Sequence, residues 1–196
     1  MNKLARGTIL SVIACMLMIQ SAWTDAYRHR PTGIVFPGRL ATLEREAGVT
    51  DFEAQTPGLG VSIGYNGPGI TVTIYVYTMG MKTIPADLHS SELKDHFKQA
   101  ASDIVRAGEM GLYSNVQKVS DGEAVWDPAG TGTASFHASY SYTQHGRDRL
   151  SHLYLMEHRN HFLKIRFTYD KEIQEAAENT QRDFLAEFSR ILAGDG

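Results

Sequence analysis

The chain has 196 residues, of which 42% are hydrophobic and 21% are charged, and its net charge is −3. This is the composition of an ordinary globular protein, and it excludes a low-complexity or disordered chain. The excess of acidic residues argues against a nucleic-acid partner, because nucleic-acid binding needs a basic surface.

The N-terminus has the three parts of a secretory signal peptide. Lys3 and Arg6 form a short positive region, an apolar run follows, and a small-residue cleavage motif ends at Ala26. We therefore predict a signal peptide at residues 1–26, with cleavage after Ala22 as an alternative. The apolar run is shorter than the roughly 20 residues that a membrane-spanning helix needs.

Cys15, the only cysteine, leaves a second possibility open. The residues before it resemble the lipobox of bacterial lipoproteins, in which the chain is cleaved before a lipidated cysteine and held at a membrane. Against this, the apolar run continues past Cys15, where a lipoprotein has a polar linker. Without lipidation we expect a periplasmic or extracellular protein. Removal of residues 1–26 leaves 17 basic and 21 acidic side chains, a net charge of −4, and no cysteine for a disulfide or a thiolate metal site.

The mature chain begins with a polar segment at residues 27–33, which we interpret as a flexible lead-in to a single domain at residues 34–196. The stretch from Leu40 to Asp51 is ambiguous. Its Leu-Glu-Arg-Glu-Ala core favours a helix by propensity, whereas its threonines, Val49 and an internal glycine favour a bulged strand. We favour the strand.

Residues 59–77 have the pattern of a β-hairpin. Apolar residues alternate with small or polar ones over 59–65 and again over 70–77, with an Asn-Gly-Pro-Gly turn between the two runs. Small residues at Gly60, Ser62 and Gly64 lie on one face of the first strand. They indicate that another element approaches closely there.

Two amphipathic helices are predicted on either side of further strands. The first follows Ser90 as N-cap, and its apolar stripe runs over residues 93–108; the second follows Asp170 as N-cap. Between the helices, residues 116–119 and 123–126 are expected to form a small hairpin around a Ser-Asp-Gly turn at residues 120–122.

A meander of three strands is the strongest pattern in the chain. The predicted strands are Ala134 to Tyr142, Arg147 to His158 and His161 to Tyr169, joined by short turns rich in Gly and Asn. Apolar residues occupy both faces of the meander. We therefore expect an α+β protein with an antiparallel sheet of about six to seven strands, flanked by two amphipathic helices.

Two resemblances follow from these stretches. The run from Pro57 to Tyr65, the later Tyr75-Val76-Tyr77 and the Ile84-Pro85 that follows resemble a family of uncharacterised exported proteins of Gram-negative bacteria. The element order resembles the PsbP/Mog1-like α/β/α sandwich. This second resemblance implies a binding or assembly-accessory role, because those relatives are not generally enzymes.

The histidines and motifs give little chemistry. His158 and His161 face each other across the last turn and are the candidates for a metal site, but a closed zinc site needs four ligands, and we favour a solvated turn. The glycines near residue 60 miss the dinucleotide-binding spacing, and we find no nucleophile elbow, Walker motif or zinc-protease motif. We therefore predict no enzyme activity and no cofactor.

Aromatic residues provide the candidate binding surface. Tyr75 and Tyr77 share one strand face, Tyr140 and Tyr142 share another, and Trp126 next to a Pro/Gly loop is a possible exposed anchor. Core packing is the alternative explanation, because strands are rich in aromatics anyway.

Three hypotheses of function remain open. We favour a non-catalytic binding or accessory protein of an envelope process, whose partner is another envelope protein. The second is a carrier of a small apolar ligand, and the third is a hydrolase with an unrecognised site.

Overall fold

The computed structural model describes residues 25–127 and 129–194. The predicted signal peptide, with Cys15 and the alternative cleavage site at Ala22, lies almost entirely outside the described residues. Among those residues, no helix combines the length and the apolar character needed to cross a membrane.

The described residues form ten strands and two helices. The elements are β1 Tyr27–Arg28, β2 Val35–Phe36, β3 Arg39–Leu40, β4 Leu43–Asp51, β5 Val61–Gly67, β6 Ile70–Tyr77, α1 Ser91–Glu109, β7 Ser114–Val125, β8 Ala134–Gln144, β9 Arg147–His158, β10 His161–Asp170 and α2 Gln174–Ala193. Eight strands form one antiparallel sheet in the order β3-β4-β5-β6-β10-β9-β8-β7, while β1 pairs with β2. The predicted α+β class is confirmed, although the sheet has one or two strands more than expected.

The meander was predicted correctly, and the hairpin was predicted correctly except that its first strand, β5, begins and ends two residues later than expected. β9 has the predicted bounds, and β8 and β10 are each slightly longer than predicted. The β9–β10 turn is made by Arg159 and Asn160, which both have positive φ angles (48° and 62°), and this twist matches that of the flanking strands. The ambiguous stretch is a strand, β4, with an irregular register between Arg45 and Val49 that corresponds to the expected bulge.

The predicted small hairpin around residues 120–122 is wrong. Residues 114–125 form the single strand β7, which pairs along its length with β8 and has two register irregularities. Gly122 lies opposite His137 within this pairing. The Asp-Gly sequence favours a turn locally, but pairing with a neighbouring strand overrides that preference.

The segment predicted as a flexible lead-in is folded onto the domain. β1 within this segment pairs with β2, and His29 and Thr32 are buried. His29 Nδ1 and the Thr32 hydroxyl share a hydrogen bond of 2.7 Å, and Arg159 Nη1 donates to the Thr32 carbonyl oxygen at 2.6 Å. These contacts fix residues whose polarity suggested exposure.

The two helices cover opposite faces of the sheet. α2 packs through Phe184 and Phe188, both fully buried, against the face formed mainly by β4, β5, β6 and β10. α1 packs through Leu93 and Ile104 against the other face, near β8, β9 and the ends of β6 and β10. This is the expected α/β/α sandwich.

The helix starts were predicted in one case of two. The Ser90 hydroxyl accepts a hydrogen bond from the Leu93 N–H, which confirms the N-cap of α1. Asp170, in contrast, precedes the 3₁₀ turn Lys171–Ile173 that leads into α2, but its side chain makes no capping hydrogen bond. Its carboxylate pairs with Arg147 and Arg149 instead, at 3.3 and 3.1 Å, because these arginines lie on the paired strand β9.

Candidate functional site

The aromatic residues predicted to form a binding surface occupy three different places. Tyr140 and Tyr142 are buried beneath α1, and Trp126 is 3% exposed and packs on the α2 side. The expectation of an exposed Trp126 is wrong, because its indole N–H donates to the hydroxyl of buried Ser135 at 2.8 Å. Tyr75 and Tyr77 line an open pocket.

This pocket lies at the end of β6 and β10 beside α1, and we call it the tyrosine pocket. Its volume is about 300 Å³. The residues that line it are Phe52, Leu59, Tyr75, Tyr77, Met79, His96, Gln99, Ala100, Asp103 and Lys164. Apolar and aromatic groups thus surround a small number of polar ones, as is typical of a ligand-binding pocket.

The register of the sheet places a cation on the tyrosine rings. Lys164 on β10 lies directly opposite Tyr75 on β6, and side chains in such pairs contact each other. The Lys164 ammonium lies 4.3 Å from the centre of the Tyr75 ring and 5.5 Å from that of Tyr77. These are cation–π distances, and they hold the ammonium at the pocket wall.

Lys164 has no carboxylate partner in the described part of the chain, where it forms no salt bridge. Burial lowers the pKa of its ammonium, and the nearby Arg166 lowers it further, while Asp103 opposes the shift. A partly desolvated ammonium of this kind gains free energy when a carboxylate approaches it. Lys164 is thus the lining residue placed to pair with a negative group of a ligand, and Asp103 is the carboxylate that lines the same pocket.

The Tyr77 hydroxyl is held by His96 of α1. The hydroxyl and His96 Nε2 share a hydrogen bond of 2.7 Å, and the imidazole ring lies 4.2 Å from the Phe162 ring. Burial raises the pKa of Tyr77 and lowers the pKa of His96, so both groups are neutral near pH 7. This hydrogen-bonded pair forms a polar part of the pocket wall.

Two exposed apolar side chains form the rim of the pocket. Leu59 is 41% exposed and Met79 is 54% exposed. The backbone fixes their loops together, since the Gly58 carbonyl oxygen accepts hydrogen bonds from the N–H groups of Thr78 and Met79 at 3.1 and 2.7 Å. A side chain on Gly58 would come within 2.3 Å of the Gly80 nitrogen, so the close approach of the loops requires glycine.

The small residues of the hairpin have the close neighbour that was predicted, but it is part of the sheet. A Cβ on Gly60 would lie 1.9 Å from the Val76 carbonyl oxygen, and one on Gly64 would meet the Glu46 side chain of β4. The adjacent strands therefore explain these small residues.

Sequence reasoning missed two important residues of the tyrosine pocket, His96 and Lys164. Strand alternation placed Lys164 on the polar face of β10, and nothing in the sequence showed that α1 covers this end of the face. The opposition of Tyr75 and Lys164 became visible only with the register of β6 against β10.

The histidines considered as metal ligands flank the β9–β10 turn and do not line the tyrosine pocket. His158 and His161 are register partners, as predicted, and the His29 ring stands edge-on to that of His161 at 5.5 Å. His161 Nδ1 lies 2.9 Å from the Arg159 carbonyl oxygen. Within the described residues, no group of three or more potential ligands is placed to hold a metal ion.

Comparisons with known proteins give structural neighbours only. No protein-family model matches the chain, and no curated protein matches its sequence. The fold is similar to that of cyanobacterial PsbP from Synechocystis, with a TM-score of 0.51 and 11% sequence identity over 87% of this chain and 94% of that one.

The chain has a PsbP-like fold. Two weaker structural similarities are to the Ran-binding protein Mog1 of Saccharomyces cerevisiae (TM-score 0.37, 11% identity, 82% of this chain and 86% of that one) and to LpqN of Mycobacterium tuberculosis (TM-score 0.35, 12% identity, 81% and 85%). With TM-scores this low, no conclusion about this chain is drawn from them. At 11% identity, PsbP-like describes the fold alone. The site must be interpreted from its own residues.

Proposed function

We propose that the chain is an exported, non-catalytic binding protein that uses the tyrosine pocket to hold an apolar segment of a protein partner in the bacterial envelope. The observation that carries this proposal is the exposed pair Leu59 and Met79 beside the tyrosines. Exposed apolar residues that rim an aromatic pocket are typical of interaction sites. The negative end of the partner segment pairs with Lys164.

A protein partner fits this pocket better than a carried small molecule does. A carrier for an apolar ligand needs an enclosed cavity, whereas the tyrosine pocket is open and its apolar rim faces solvent. The sheet faces beneath both helices are filled by large buried side chains such as Phe162 and Phe184.

The environments of the histidines also favour binding over hydrolysis. In the described residues, their side-chain hydrogen-bond partners are tyrosine hydroxyls, a threonine hydroxyl and another histidine. A hydrolase of the serine type needs a histidine between a nucleophile and an orienting acid. The exposed pair of His89 and Glu123, 3.5 Å apart, has no such third member.

Export is tested by cell fractionation together with the mass of the mature protein. We expect a periplasmic or secreted protein that begins at Tyr27, or at Trp23 if cleavage follows Ala22. A mature chain that begins at a lipidated Cys15 would show that the protein is exported as a membrane-anchored lipoprotein instead. An uncleaved cytoplasmic protein would contradict the proposal and, with it, membership of an exported Gram-negative family.

Partner binding is tested by introducing a photo-crosslinking amino acid at Met79 in living cells. The matched control is the same amino acid at Val125, which is 51% exposed and belongs to β7, an edge strand of the sheet that is separated from β6 by three other strands. We expect one abundant protein adduct at position 79 that is absent at position 125. Recovery of an apolar small molecule at position 79, with no protein adduct, would favour the carrier; adducts of equal pattern at both positions would refute a specific site.

A further inference from the structure

A second pocket, which we call the basic pocket, lies between the N-terminal strands, the β9–β10 turn and the C-terminal end of α2. Its volume is about 550 Å³, and it shares no lining residue with the tyrosine pocket. Four arginines line it, each on a different segment: Arg28, Arg39, Arg159 and Arg190. Glu187 is the only acidic residue among its lining residues.

Two carboxylates, those of Glu187 and Asp127, offset part of the charge of these four arginines, and a net positive charge remains. Arg28, Arg39 and Arg159 donate to the backbone carbonyl oxygens of Gly33, Ala41 and Thr32, at 3.3, 3.2 and 2.6 Å. A carbonyl oxygen satisfies one N–H but leaves the positive charge uncompensated. Arg190 has a carboxylate, that of Asp127, only at 3.8 Å, and the Glu187 carboxylate accepts from the Ala41 N–H at 2.7 Å.

The fold keeps at least one of these arginines in place. Gly33 has φ +73°, and a Cβ at this position would lie 3.0 Å from Arg159 Nη1. The absence of a side chain at Gly33 therefore leaves space for the guanidinium that reaches Thr32. Positioned arginines of this kind present several N–H groups in a fixed planar geometry.

An unpartnered polar atom provides an independent observation. His158 lines the basic pocket, and its Nε2 is buried without a hydrogen-bond partner among the described residues. Burial, with Arg159 and His161 as further causes, lowers the pKa of His158 to about 4, so the ring is neutral near pH 7. A neutral imidazole has one N–H donor and adds no charge to the pocket wall.

We propose that the basic pocket binds a phosphate group attached to an apolar body. A phosphate ester presents more oxygen acceptors and more negative charge than a carboxylate, and several arginines can bind it together. Ile34 and Leu40, both buried, and Ile191 supply an apolar wall for the remainder of the ligand. The phosphate belongs either to a soluble ester or to a lipid headgroup.

The test uses two kinds of probe with the purified protein. Calorimetry measures the binding of phenyl phosphate, with inorganic phosphate and benzoate as comparisons, and sedimentation measures binding to vesicles of phosphatidylcholine with and without phosphatidylglycerol. Phenyl phosphate should bind more tightly than inorganic phosphate or benzoate if the source is a soluble ester. Binding only to the phosphatidylglycerol vesicles assigns the phosphate to a lipid.

Two variants on the same helix decide whether the basic pocket is responsible. Arg190→Gln removes a lining arginine, whereas Arg182→Gln removes another exposed arginine of α2, whose own acidic neighbour Asp183 lies at 4.0 Å. We expect Arg190→Gln to weaken binding about tenfold and Arg182→Gln to change it less than about twofold.

Arg39→Gln, on β3, should behave like Arg190→Gln without any change in α2, and circular dichroism verifies the fold of each variant. Equal losses in Arg190→Gln and Arg182→Gln, equal affinity for benzoate and phenyl phosphate, or no binding in either arm would overturn the proposal.

Discussion

Replacing His152 by glutamine is expected to remove a defined part of the pH dependence of stability. The His152 ring lies between the side chains of His137 and Tyr169. Its Nδ1 shares a 3.1 Å hydrogen bond with His137 Nε2, and its Nε2 lies 3.3 Å from the Tyr169 hydroxyl. Burial, followed by the repulsion from His137, lowers the pKa of His152 to about 4 from an ordinary value of 6.5.

The sign and size of the effect follow from proton binding. Because the folded protein holds His152 neutral, the unfolded chain binds its proton first as the pH falls below 6.5. Stability is therefore complete above that pH and is lost progressively towards pH 4. A shift of this size corresponds to a loss of about 2 kcal/mol in the free energy of unfolding between pH 7 and pH 5, at about 1.4 kcal/mol per pKa unit.

Urea unfolding of the wild type and of His152→Gln at pH 7 and pH 5 measures this loss. The wild type should lose about 2 kcal/mol more than the variant over this interval. Any packing defect of the variant cancels, because only the difference between the two pH values is compared. The control His89→Gln removes an exposed histidine and should retain the wild-type difference. An unchanged pH dependence in His152→Gln would refute the reasoning.

Two further substitutions test the packing. Phe184→Ala should lower the free energy of unfolding, measured in urea, by about 3–5 kcal/mol, because the side chain is fully buried. The control Leu112→Ala, at an exposed position, should lower it by less than about 0.5 kcal/mol. Similar losses in the two variants would contradict the assigned α2 interface. Gly60→Ala should abolish the yield of soluble, folded protein, because the new methyl group clashes with the Val76 carbonyl oxygen. The control Gly132→Ala, where the φ angle is similar and the space around the Cβ is open, should still fold. Equal yields of soluble protein would show that the backbone can move apart at Gly60 and Val76.

Much of the fold was predictable because its strands alternate. In β10, Leu163, Ile165 and Phe167 are buried on one face, and the period of two was visible directly. The turn was visible too, since Asn160 adopts the positive φ angle that asparagine tolerates. β7 was missed because its Asp-Gly pair signals a turn locally, while the pairing with β8 that keeps it extended is a long-range interaction.

The tyrosine pocket was predictable in part. The alternation placed Tyr75 and Tyr77 on one face, but Tyr140 and Tyr142 pack in a different cluster under α1, and Trp126 packs on the α2 side. Lys164 is the informative failure, because a lysine that alternates with apolar residues is normally solvated. Its position over an aromatic ring depends on which strands are neighbours and on where α1 packs on the sheet, and neither is encoded by a local pattern.

The central claim is that the apolar rim of the tyrosine pocket contacts a protein. The most direct measurement is the yield of the cross-link at position 79 in cells that also carry Leu59→Ser, compared with Val119→Ser, an exposed apolar position on β7. We expect Leu59→Ser to reduce the yield at least about tenfold and Val119→Ser to leave it unchanged. Equal yields in the two variants would show that the rim does not hold the partner, and would contradict the account.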